Sequence, residues 1–124
     1  MRLAMVAVLM ATGMAAHAQD GARMMTLAEV KQRRVELTGL FIRVENVTIT
    51  GFSMSRGGLA SDASGGVHLD DDGMPLDTIT YLERNCARSG TPAAPAGCRG
   101  ALEFTVAQSR GAFTISDAQF IPQR

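Results

Sequence analysis

Tryptophan is absent from this 124-residue chain and tyrosine occurs once, at Tyr81. A groove that stacks successive bases needs several aromatic faces beside a basic wall, and few are on offer here. Neither sign of charge dominates: twelve Lys and Arg meet twelve Asp and Glu. The total therefore marks neither a polyanion nor an acidic membrane surface as partner. Histidine occurs only at His17, in an N-terminal segment expected to be removed, and at His68, which leaves one imidazole for acid–base work. The two cysteines, Cys86 and Cys98, have no Cys or His cluster beside them that would complete a zinc site. The longest apolar run, Leu3 to Ala16, is shorter than the roughly 20 residues that span a bilayer.

What is present at the start reads as a signal peptide. Arg2 precedes the apolar run, and Ala16-His17-Ala18 places small residues at the minus-three and minus-one positions of a cleavage site. Residues 1–18 are thus expected to be removed, which leaves 106 of the 124, one ordinary domain without a membrane span. A periplasmic or secreted location follows, and there an even pair of cysteines reads as a disulfide, Cys86 to Cys98. Closing that loop stabilises a small domain by about 3 kcal/mol. The spacing is not C-x-x-C, which sets a redox-active pair aside.

After a short leader, residues 19–32, the period of the pattern changes. Thr26 followed by Glu29 is a capping box and predicts one or two turns of helix. Val35 and Leu37, then Leu40, Ile42 and Val44, alternate with a phase shift at Gly39, which predicts a long strand with a bulge at the glycine. Glu45-Asn46 predicts a reversal and Val47 to Ser55 a second strand. Residues 56–66 hold four glycines and no apolar period, which predicts a mobile loop. Val67 to Leu69 predicts a short third strand running into Asp70-Asp71-Asp72-Gly73. Leu76, Ile79, Leu82 and Cys86 share one face at helical spacing, with Pro75 at the helix start. Leu102, Phe104 and Val106 predict a fourth strand, and Phe113, Ile115 and Phe120 a fifth.

The order β-β-β-α-β-β over residues 33–122 resembles the OB-fold, a five-stranded Greek-key barrel with one helix between strands three and four. The resemblance rests on Arg34 to Val44, the segment Val47 to Met54, the Asp72-Gly73 turn into the helix, and the pair Leu102 to Val106 and Gly111 to Phe120. A different small barrel or sandwich with one helix is the competing fold. Among OB proteins an exported single domain is similar to the small periplasmic bacterial families. That likeness implies a non-catalytic binding or accessory role toward a protein partner or small ligand. Single-stranded nucleic acid or oligosaccharide on the barrel face is the alternative.

On the face of strands two and three, the expected surface is Phe52, Met54, Arg56, His68 and Asp70. No catalytic residue, metal site or cofactor is expected. There is no nucleophile elbow or metal-binding spacing around His68. Aligning Gly73 with the glycine of an EF-hand loop puts His68 and Ile79 at ligand positions, so Asp70-Asp71-Asp72 reads as a polar turn, with Asp72 capping the helix, and otherwise as a weak divalent site. After processing, Met24, Met25, Met54 and Met74 are scattered, which suits gap-filling rather than copper ligation.

Overall fold

A computed structural model describes residues 21–88, 95–108 and 111–123. The expected signal peptide and its cleavage site lie outside these residues. In chain order the elements are β1 (Arg23–Met24), α1 (Leu27–Gln32), α2 (Arg34–Leu37), β2 (Phe41–Ser53), β3 (Gly57–Asp62), β4 (Gly65–Leu69), α3 (Leu76–Asn85), a 3-10 turn (Ala96–Cys98), β5 (Arg99–Thr105), β6 (Thr114–Ile115) and β7 (Gln119–Pro122). The fold is mainly β: a single curled sheet, half-barrel in form, in the order β6-β4-β3-β2-β5-β7 with β1 added to β2. Seven strands stand where five were expected.

The difference arises first in β2. Ile42 and Val44 are buried, then Val47 and Ile49, then Phe52, so the inward set slips by one residue twice. Each slip coincides with a register shift, one between Val44 and Val47 against β5 and one between Thr50 and Ser53 against β3. Asn46 (φ 58°) and Gly51 (φ 62°) supply the left-handed backbone that such bulges use. A phase break in alternation reads equally as a turn or a bulge. Glu45-Asn46 is the bulge, and the two strands expected on either side of it are one.

Upstream the error runs the other way. The pair Val35 and Leu37 suggested strand, yet Arg34–Leu37 is a helical turn that buries Leu37 and leaves Val35 84% exposed. Gly39 (φ 87°) follows it in the left-handed position that ends helices, and β2 begins two residues later.

Residues 56–66, expected as a mobile loop, form most of the β3–β4 hairpin, with Ala60 paired to Val67 and Leu59 to His68. The glycines serve close approach rather than freedom. A side chain at Gly58 would overlap Phe52 and the Thr50 carbonyl, and one at Gly57 (φ 76°) would meet the Leu69 carbonyl.

The expected last strand is split. β6 pairs in parallel with β4, and β7 pairs antiparallel with β5. Asp117, at φ 53°, sits in the break. Phe52 and Phe104 are the largest wholly buried side chains, joined by Ile42, Ile49, Leu69, Leu102 and Ile115 from the sheet. α1 contributes Leu27 and Val30 and packs on β4; α3 contributes Leu82 and packs on β2. The Cys86–Cys98 disulfide is formed and ties the end of α3 to the turn before β5. Among the described residues no helix is long and apolar enough to cross a membrane.

Candidate functional site

Side chains alternate across a strand, so the register defines what the sheet presents outward. Thr50 on β2 lies opposite Leu59 on β3, Leu59 opposite His68 on β4, and His68 opposite Thr114 on β6. This four-strand row is the outward face of the hairpin. Leu59 is 47% exposed, and His68 is exposed. The next row is Arg99, Thr48, Ser61 and Gly66. Small and hydroxylated residues thus surround one leucine and one imidazole, with Arg99 at the β5 end of the second row and no aromatic side chain in either row.

The residues expected on this face separate. His68 is on it. Phe52 is fully buried and belongs to the core. Met54, 46% exposed, and Arg56 lie in the turn between β2 and β3, and Asp70 follows the last residue of β4. The cross-strand neighbours of His68, Leu59 and Thr114, are neither acids nor bases, so the sheet register brings it no proton-transfer partner.

The acidic run is a structural turn. The Asp71 carboxylate accepts the Ser55 backbone N–H at 2.6 Å, which holds the β2–β3 turn where Ser55 adopts φ 70°. The Asp70 N–H donates to the Ile115 carbonyl, and the Asp117 N–H to the Asp72 carbonyl. Asp72 does not cap α3; Pro75 occupies the N-cap position and supplies no side-chain hydrogen bond. Among the described residues no three His, Cys, Asp or Glu side chains are grouped to hold a metal ion.

Two features escaped sequence reasoning. The first is Asp62, which lay within the presumed loop. Its carboxylate accepts hydrogen bonds from the N–H groups of Leu27, Ser64 and Gly65 and from the Ser64 hydroxyl, at 2.5 to 3.1 Å. Partial burial works to raise this carboxyl, but the four hydrogen bonds outweigh it and hold Asp62 below the usual aspartate value. An Asp-x-Ser-Gly string between two apolar alternations was the available hairpin signal. The second is the outer side of α3. Leu76 was expected on the core face but is 69% exposed, whereas Leu82 and Cys86 of that set are buried and Ile79 packs partly buried against the core. It lines a concavity of about 570 Å³ with Thr80, Tyr81 and Arg84.

Elsewhere Arg43 on β2 bonds Glu45 at 2.8 Å and Glu103 on β5 at 2.5 Å. These hydrogen bonds, Glu45 first, hold its guanidinium pKa above the ordinary value. No family model, curated protein or solved structure matches the chain.

Proposed function

We propose that this chain is an exported, non-catalytic binding or accessory module built on an OB-type barrel, taking a protein partner or small ligand on the outward face of β3 and β4. The observation that carries this reading is the pairing pattern. β2, β3 and β4 form an antiparallel meander, and α3 follows it. The first half of β2 also pairs with β5. The final segment contributes β6 in parallel to β4 and β7 antiparallel to β5. If β6 and β7 count as one interrupted strand, and β1 as an addition, the five strands and helix of an OB barrel follow in order.

The composition of the face supports a protein or small ligand over nucleic acid. Leu59 offers apolar area, Thr50, Thr114 and His68 offer hydrogen bonds, and stacking platforms are missing. Disulfide formation supports an oxidising compartment.

Affinity capture from a periplasmic extract tests the reading, with mass spectrometry of the proteins and small molecules retained. One stoichiometric partner, lost on Leu59→Asp and weakened by His68→Ala, is the expected outcome. Retention that ignores Leu59→Asp moves the site away from this face, to α3 in the first instance. Salt-sensitive retention of single-stranded nucleic acid or of glycan alone replaces the reading with the alternative.

A further inference from the structure

Seven large apolar side chains are exposed among the described residues, and four of them, Met24, Val35, Leu40 and Phe41, fall between β1 and the start of β2. The pairings draw them together. Met24 lies beside Arg43 in the parallel β1–β2 ladder, and Phe41 is two residues before Arg43 on the same face of β2. Phe41 in turn pairs with Thr105 at the end of β5. The Leu40 N–H donates to the Leu37 carbonyl and the Leu40 carbonyl accepts from the Val106 N–H, and Val35 shares a concavity with Arg34, Thr38, Ala107 and Gln108 just beyond β5. The surface thus runs from β1 over the first residues of β2 to α2, separate from the Leu59–His68 face.

Charge is segregated to the same region. Residues 21–43 carry five Lys and Arg against two Glu, a balance of plus three, whereas residues 44–124 carry six against nine, minus three. Within residues 21–43, Arg33 is bonded to Glu36 and Arg43 to Glu45 and Glu103. Arg23, Lys31 and Arg34 make no ion pair among the described residues; Arg23 adjoins Met24 on β1, Arg34 lines the same hollow as Val35, and Lys31 lies on α1, near the turn of the β3–β4 hairpin.

We propose that the α2–β2 junction docks this protein onto an anionic phospholipid bilayer, with Val35, Leu40, Phe41 and Met24 entering the headgroup region and Arg23, Lys31 and Arg34 meeting lipid phosphates. Charge complementarity selects an anionic occupant. The form of the surface selects lipid over an acidic protein segment. Val35 at 84% and Met24 at 59% exposure project from the fold, Val35 from the edge of the hollow it shares with Arg34 and Thr38, and projecting side chains with cations nearby suit a fluid, shapeless acceptor.

The test is co-sedimentation of the exported chain with vesicles of phosphatidylcholine alone and of phosphatidylcholine mixed with phosphatidylglycerol. Each variant is compared with its parent in the same processed form. Binding to the mixed vesicles only, weakened by salt, is expected. Val35→Ser together with Leu40→Ser should weaken it about tenfold or more, and Lys31→Gln or Arg34→Gln about fivefold each. Val35 and Lys31 are exposed, whereas Leu40 is 36% exposed and Arg34 half-buried, so thermal midpoints are measured for each variant to check that it folds. Absence of binding to mixed vesicles overturns the proposal. So does binding that ignores the apolar substitutions, or a dimer in sedimentation velocity that Val35→Ser dissolves, which reassigns the surface to self-association.

Discussion

α1 and α3 are held to the sheet at opposite ends. α1 has six residues, and side chains take the N–H groups of its first three: Asp62 accepts from Leu27, the Ser64 hydroxyl from Ala28, and the Thr26 hydroxyl from Glu29. The Glu29 carboxylate returns a bond to the Thr26 N–H and completes the capping box. α3 has ten residues and begins at Pro75 with no side-chain cap. Its attachment comes after its last turn, where the carbonyls of Cys86 and Arg88 accept from Phe52 and Gly51 on β2. Tyr81 donates to the Gly97 carbonyl at 2.8 Å, and the disulfide joins Cys86 to Cys98. A helix too short to be stable alone is thus fixed by satisfying its start, and a longer one by anchoring its end. Two of these three acceptors, Asp62 and Ser64, come from a hairpin turn more than thirty residues away, so α1 depends on the β3–β4 hairpin as much as on its own sequence.

The largest expected effect comes from cutting the anchor of α3. Replacing Cys86 and Cys98 together by Ala should cost about 3 kcal/mol and roughly 12 °C or more in Tm, read by thermal unfolding with and without reductant. Hydrogen exchange sharpens the comparison: the amides of α3 should lose protection while those of α1 keep theirs. Equal loss in both helices would show that the two attachments are one cooperative unit.

Asp62→Ala should act in the opposite place, at about 1–2 kcal/mol, the range of a lost cap, with protection falling in α1 and in the β3–β4 hairpin but not in α3. The effect is pH-dependent with a definite sign. Asp62 is held below the usual aspartate value in the folded state, so its contribution is complete above the unfolded value of about 3.9 and is lost as pH falls through the lower folded value. Urea unfolding of the parent and the variant from pH 7 downward should therefore converge in acid. A constant gap across that range would assign the loss to packing instead.

The capping box, the disulfide and the helix over Leu76–Asn85 were legible because each is a local signal whose meaning does not depend on distant partners. Most strand boundaries were not. The slip at Asn46 looks, in one dimension, like the end of a strand, the slip at Gly51 falls unmarked inside the expected second strand, and only the pairing of β2 with both β3 and β5 shows that one bent strand serves two neighbours. The glycines at 57 and 58 carry no apolar period, since their role is to let backbones pass close together. Of the expected surface residues, His68 is exposed between buried Val67 and Leu69, as alternation within β4 requires. Phe52, named for that surface but read as a core or rim residue rather than a stacking platform, is turned inward by the second bulge. Asp62 was invisible for the same reason that α1 needs it: its bonding partner Leu27 is 35 residues away.

The smallest effect is expected at the start of α3, and its size is informative because two terms oppose. Pro75→Ser places a hydroxyl at an N-cap position whose backbone, φ −58° and ψ 144°, is already non-helical. The added hydrogen bond to the first turn should stabilise α3 by about 1 kcal/mol. The proline, however, restricts the unfolded chain, and its removal costs about 0.4–1 kcal/mol. The net change should lie within about 0.5 kcal/mol, with Tm barely moved, yet amide protection in the first turn of α3 should rise because local opening is governed by the cap. A larger gain would mean that the uncapped start was a weak point of the whole fold. A clear loss would mean that Pro75 holds the Asp70–Gly73 turn in place, and that α3, like α1, is fixed from its beginning.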